Sequence, residues 1–198
     1  MHFFMIRHGE SMANLQGLVT GGEESPLTDK GKEQCRSLRT LIQIRGLEFD
    51  RYVVSPMLRA VQSAEIIFPD QKFVVLPEIA ETDAGHCAEW PLVRFLADHS
   101  NFYSEFDPDR PYPGGESHMD LYHRTTHWFM NAIETYGEHE RVVMVAHNGP
   151  IACVLHHCYN TPMTCFPRFT APNASLSHLH IDKTGVARLY AFGIAGGI

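Results

Sequence analysis

Residues 3–10 read FFMIRHGE, and this stretch decides the architecture. Four apolar side chains run without a polar break and are followed at once by a cation, a histidine, a glycine and an acid. That is the pattern of a strand buried on both faces that delivers a polar loop to one end of a sheet. The pattern returns most strongly at 141–148, where VVMVA leads into His147 and Asn148, and in shorter form at 52–55, which leads into Pro56. Residues 73–76 are a third, weaker strand candidate in the same half of the chain.

Between these runs the apolar spacing changes from continuous to helical. Thr28 is placed to cap a helix whose apolar face is Cys35, Leu38, Leu41 and Ile42, ending at Gly46. Ser55 and Pro56 read as a cap followed by proline at the first helical position, opening a stripe of Ala60, Val61, Ala64, Ile67 and Phe68 that Pro69 stops. Ser117 and Asp120 have capping-box spacing ahead of Tyr122, Phe129, Ala132, Ile133 and Tyr136, a long helix ending at Gly137. A short helix is expected over about 150–159, and 176–181 with 186–192 form a hairpin across Asp182, Lys183, Thr184 and Gly185. Strands alternating with helices predict an α/β three-layer sandwich: a mostly parallel central sheet, helices on both faces, and an antiparallel edge added late.

The chain has 198 residues and no internal repeat or linker, so it reads as one domain over 1–198. Its least regular part begins near Glu81, and residues 86–115 read as an irregular excursion over the active site. Sixteen basic against 23 acidic residues give a formal charge of −7, which argues against nucleic acid or an anionic membrane as partner. Five cysteines, at 35, 87, 153, 158 and 165, form no CxxC pair, which points to a reducing compartment. The apolar run before Arg7 is only four residues long, too short for a signal-peptide core or a membrane span. The expected location is cytoplasmic. The closing GIAGGI, 193–198, has little to pack and is expected to fray.

Loops leaving the C-terminal ends of parallel strands share one crevice. Three strands here end in reactive groups: Arg7, His8, Gly9 and Glu10 after the first, Ser55 leading to Arg59 after the second, His147 and Asn148 after the third. Two guanidinium forks and two imidazoles match a dianionic phosphoryl group, since guanidinium pairs with phosphate oxygens and imidazole attacks phosphorus or donates to oxygen. In isolation Arg59 would be a charge on a helix surface and His147 a cap on a core strand. It is their common placement at strand ends that makes a phosphate pocket.

RHGESMANLQG at 7–17, SPMLRAVQSAE at 55–65, ETDAG at 81–85, PGGES at 113–117 and VMVAHNG at 143–149 together resemble, in this order, the motifs of the histidine phosphatase superfamily, phosphoglycerate mutase-like branch. The resemblance spans nearly the whole chain. It implies His8 as the nucleophile that becomes a phosphohistidine, with Arg7, Arg59 and His147 on the phosphoryl oxygens and Asn14 as an added amide donor. It implies Glu81 as general acid and base, because the family's carboxylate commonly precedes a glycine by four positions and Gly85 meets that spacing; Glu78 and Asp83 are the other candidates. Asn148 stands where the family has glycine directly after the second histidine, and it counts among the substrate-binding residues. His86, Cys87, Ala88, Glu89 and Trp90 replace the usual run after the acid's glycine, a difference that bears on substrate choice.

The implied activity is a phosphomonoesterase acting on a small phosphorylated metabolite, with no organic cofactor and no metal. The compact length favours it over mutase-type transfer between phosphoglycerates; a nonenzymatic phosphate-binding module is the alternative of another class. A Rossmann dehydrogenase lacks its GxGxxG here. His86, Glu89, Trp90, Arg94, Arg110, Tyr112 and Arg168 are candidates for substrate specificity. Glu116 and Ser117 either start a helix or form a pocket-side loop. Of the thirteen histidines, His123 with His127 and His178 with His180 have pairwise ligand spacing but no evident third ligand. His156 and His157 read as surface or subunit-contact residues, and the oligomeric state stays open, a homodimer included.

Overall fold

The computed structural model describes residues 1–19 and 22–196. In chain order its elements are β1 (His2–Arg7), α1 (Met12–Gln16), α2 (Asp29–Ile44), β2 (Arg51–Val54), α3 (Leu58–Ile67), β3 (Val74–Val75), α4 (Leu92–Asp98), α5 (Asn101–Ser104), α6 (His118–Thr135), β4 (Arg141–Ala146), α7 (Asn148–Cys158), β5 (Ser175–Ile181) and β6 (Ala187–Ala195). The six strands form one sheet in the order β3-β2-β4-β1-β5-β6. β3, β2, β4 and β1 run parallel, and β5 and β6 add the antiparallel edge.

The continuous apolar strands are explained by the two-residue repeat of a strand with both faces covered. Phe3 and Met5 of β1, with Val142, Met144 and Ala146 of β4, pack against α6 and α7 through Trp128, Phe129, Ile151, Val154 and Leu155. Phe4 and Ile6, with Val143 and Val145, pack on the opposite side against α2 and α3 through Cys35, Leu38, Ile42, Ala60 and Ala64. Each such buried side chain contributes about 1.5–3 kcal/mol. The layers thus follow from sequence alternation, and the predicted sandwich is the observed one.

Several local expectations are corrected. The helix after β2 begins at Leu58 with Met57 as its cap and no side-chain capping bond. The Ser55 hydroxyl is instead engaged by His147. β3 is only two residues long and exposed at the sheet edge. The excursion holds α4 and α5 around a satellite core of Phe95, Phe102 and Tyr112, with Val19, Ala84 and Cys87. α1 appears where no helix was expected, closed by a capping box in which Ser11 and Asn14 exchange side-chain and backbone bonds. α7 starts directly after His147, earlier than its apolar pattern indicated. Of GIAGGI, residues 193–195 complete β6, with Gly193 N–H donating to Ser177 Oγ at 3.1 Å; residues 197–198 lie outside the described residues. His156 is buried, not a surface residue: its Nδ1 meets Thr161 O at 3.1 Å and its Nε2 accepts Arg168 N–H at 3.2 Å.

Among the described residues no helix is long and apolar enough to cross a membrane. No group of three or more metal-ligating side chains stands together among them.

Candidate active site

The parallel register of β1 and β4 sets Arg7 beside Ala146, so the next residues, His8 and His147, leave the sheet side by side. His8 N–H donates to Ala146 O at 3.0 Å, and the two imidazole centroids are 5.0 Å apart. His8 is buried, with Nδ1 2.6 Å from Gly9 O. A carbonyl only accepts, so Nδ1 carries the hydrogen and the lone pair lies on Nε2. Burial, then the Arg59 and Arg7 charges, hold His8 well below the usual histidine range. A neutral imidazole with a free Nε2 is a nucleophile.

His147 is fully buried and does not itself wall the cleft. Its Nε2 lies 2.8 Å from Ser55 Oγ, which also accepts Met57 N–H at 3.3 Å. When the hydroxyl donates its hydrogen to Nε2, neutral His147 carries its proton on Nδ1. Among the described residues that Nδ1 is buried without a partner, as is Arg7 Nε. Unmatched buried donors cost about 1–3 kcal/mol each and favour an acceptor that reaches them.

Arg59 is 1% exposed, one of the largest wholly buried side chains in the protein. Its Nη1 donates to Gly22 O at 2.7 Å, and Arg7 Nη1 donates to Ala171 O at 2.6 Å. Among the described residues neither guanidinium has a carboxylate within ion-pair distance. Burial lowers the pKa of both, with Glu81 acting the other way, and a buried cation without a paired carboxylate favours an anion that reaches it. Asn14 adds an amide: its Oδ1 accepts from Ser11 N–H and Asn173 Nδ2, each at 3.2 Å, which leaves Nδ2 for the cleft.

Of the three candidate acids, Glu81 lines the cleft, while Glu78 and Asp83 do not. Glu81 Oε1 accepts Thr82 N–H at 3.0 Å and Oε2 accepts Gly149 N–H at 3.2 Å, from the first turn of α7. A methyl group on Gly149 would overlap Glu81 Oε1, so this approach requires glycine. Asn148, which lines the cleft, has its Oδ1 committed to Ala171 N–H at 2.8 Å. The segment carrying Glu81 is clasped from α6. Arg124 donates from Nη1 to Glu78 O at 2.8 Å and Ala80 O at 2.9 Å, and from Nη2 to Glu81 O at 3.0 Å. The same fork pairs with both oxygens of Glu116, whose Oε1 accepts Asp83 N–H at 2.9 Å. PGGES is therefore both a helix start and part of the scaffold under the acid.

The cleft holds about 230 Å³. Its lining combines Arg7, His8, Asn14 and Arg59, the acid Glu81 with Thr82, and an aromatic group of Tyr103, Tyr112, His118 and Phe166 with Pro167. Of the residues expected to set specificity, Tyr112 is on the wall. Arg94 lies over the Trp90 ring at 3.8 Å, Arg110 donates to Asn101 O at 3.0 Å, and Arg168 is tied through its backbone to His156. His86 packs against Gly114. Tyr103, His118 and Phe166 were missed. The capping box at Ser117 was the one signal that could have located His118, as the first helical residue of a pocket-side loop.

The family model described as Histidine phosphatase superfamily (branch 1) matches residues 3–191. The Adenosylcobalamin/alpha-ribazole phosphatase of Escherichia coli (strain K12) is 24% identical over 190 residues, covering 92% of this chain and 91% of that protein. The 6-phosphofructo-2-kinase/fructose-2,6-bisphosphatase 1 of Bos taurus is 29% identical over 173 residues, 85% of this chain but 35% of that longer protein. The crystal structure of the alpha-ribazole phosphatase from Shigella flexneri matches with a TM-score of 0.86 at 25% identity, over 100% of this chain and 99% of that one.

Proposed function

The chain belongs to the histidine phosphatase superfamily, branch 1, and we propose that it hydrolyses a small phosphomonoester through a phosphohistidine on His8. The observation that carries this reading is the His8 tautomer. With Nδ1–H bound to Gly9 O and the ring held neutral, the Nε2 lone pair stands beside two buried guanidinium groups that have no carboxylate partner among the described residues.

In the first step Nε2 attacks phosphorus, the N–P bond forms and the P–O bond to the leaving group breaks. The electron pair departs on that oxygen, which takes a proton from Glu81. Arg7, Arg59, the Asn14 amide and His147 Nδ1–H stabilise the charge spread over the equatorial oxygens. In the second step the Glu81 carboxylate takes a proton from water, the water oxygen attacks phosphorus, and the N–P bond breaks to return neutral His8 and inorganic phosphate. The sum is one water consumed per ester. Asn148 supports the cleft by fixing Ala171, whose carbonyl in turn orients Arg7. The relatives' names supply two esters to try, an alpha-ribazole phosphate and fructose 2,6-bisphosphate.

The test is rapid acid-free quenching of the protein with a radiolabelled phosphomonoester. An acid-labile, base-stable label is expected on the intact protein and not on His8→Ala, with turnover in the variant down at least about 10³-fold. Undiminished turnover in His8→Ala, or label on another residue, would overturn the assignment.

A further inference from the structure

The residues lining the cleft fall into a charged group and an aromatic group. Its arginines, Arg7 and Arg59, both act on His8. The other lining side chains bring no arginine or lysine, and Glu81, which holds its proton when it acts as the acid, adds no cation. His118 adds no cation there, since it is 6% exposed and burial brings its pKa down to about 4. Burial likewise pushes the Tyr112 phenol far up, so that wall is neutral at physiological pH.

The same wall is aromatic and braced. Tyr103 and Tyr112 join their hydroxyls at 2.7 Å, which fixes the two rings to each other. The Tyr112 ring packs on Phe102 at 4.6 Å and on His118 at 5.7 Å, and His118 packs on Phe166 at 5.1 Å. These rings come from α5, the loop after it, the start of α6 and the segment after α7, and each is held by another ring. A rigid apolar surface of this kind binds a flat group without an ordering cost. The volume of about 230 Å³ is below the ~300–1,000 Å³ of drug-sized sites, room for a phosphoryl group and little more than one ring.

Resting on the phosphomonoesterase reading, we infer that this cleft selects esters whose leaving group carries no second negative charge and presents one flat apolar ring. An ester with a carboxylate or a second phosphate would set that charge, stripped of water, against four neutral rings with no cation to pair it. A polyhydroxylated chain would find few free partners for its hydroxyls.

Benzyl phosphate, glycerol 3-phosphate and 3-phosphoglycerate separate these properties, because all three leave as alkyl alcohols and leaving-group basicity does not distinguish them. With the intact chain, kcat/KM for benzyl phosphate is expected to exceed that for 3-phosphoglycerate at least about 30-fold, with glycerol 3-phosphate between. Tyr103, 40% exposed at the mouth, is the safe position to alter. Tyr103→Ala is expected to lower the ratio of kcat/KM for benzyl phosphate to that for glycerol 3-phosphate about tenfold. Tyr103→Arg is expected to raise 3-phosphoglycerate turnover. Equal or faster hydrolysis of 3-phosphoglycerate by the intact chain would overturn the selectivity while leaving the phosphatase reading standing. An equal loss on all three esters in Tyr103→Ala would do the same, by making the ring structural only. No phosphate release from any of the three would sink both.

Discussion

Gly149 N–H donates to Glu81 Oε2 at 3.2 Å across 68 residues of chain, at a distance that leaves no space for a side chain on residue 149. The α7 N-terminus thus both orients the carboxylate and demands glycine one position beyond Asn148.

Gly149→Ala should therefore displace Glu81 while leaving the sheet intact. The expected result is a fall in kcat of about 10²-fold on benzyl phosphate, the scale of one general acid. With 2,4-dinitrophenyl phosphate, whose leaving group needs no proton, the first step should be nearly unaffected. Steady-state and burst kinetics on the two esters measure this, and an equal loss on both would refute the assignment.

Arg124 distributes one guanidinium over the carbonyls of Glu78, Ala80 and Glu81 and the carboxylate of Glu116. Arg124→Gln should lower stability by about 2–3 kcal/mol and kcat by about tenfold. Arg124→Lys should restore little of either, because an ammonium is a point donor and the segment is held by a planar fork. Urea unfolding alongside kinetics reads both; full rescue by lysine would show that charge alone suffices.

Ser55→Ala removes the hydroxyl on His147 Nε2. The buried nitrogen then competes for the proton that otherwise sits on Nδ1. A stability loss of about 1–2 kcal/mol and a roughly tenfold lower kcat/KM are expected, with His8 still accepting the phosphoryl group. Label formation without any change in kcat/KM would show that the tautomer of His147 does not matter.

His118 and His8 are both held neutral by burial, with folded pKa values below the unfolded one. The unfolded chain therefore binds more protons below about pH 6.5, and stability is lost as pH falls from there toward the folded values. For His118, which titrates at about 4 in the folded protein, the whole loss is of order 3 kcal/mol. His118→Phe, which keeps a ring against Phe106 and Phe166, should flatten the slope of urea-unfolding stability between pH 6.5 and 4. An unchanged slope would mean that His118 does not titrate as described. Catalysis by His8 should likewise show no acid limb near pH 6.5 in kcat/KM, only one well below it.

FFMIRHGE and VVMVAHNG carry both their strand character and the polar groups at their ends within eight residues each, so local pattern determines them. Once both runs are buried on two faces they must lie inside one parallel sheet, and the proximity of His8 to His147 follows from equal strand length and register. Arg7, Arg59 and Asn14 were legible for the same reason, through motifs that are contiguous in the chain. Tertiary packing decided the rest. Spacing to Gly85 favours Glu81 over Glu78 and Asp83 only through the family resemblance; Arg124 and Gly149, far along the chain, hold the middle one at the cleft. Ser55 has the local chemistry of a helix cap and is drawn instead to an imidazole 92 residues away. Tyr103, His118 and Phe166 meet from three separate segments, and no short-range periodicity encodes that meeting. Capping and alternation act over four residues or fewer, whereas the choice of acid and the leaving-group wall depend on side-chain directions that exist only after the layers have closed.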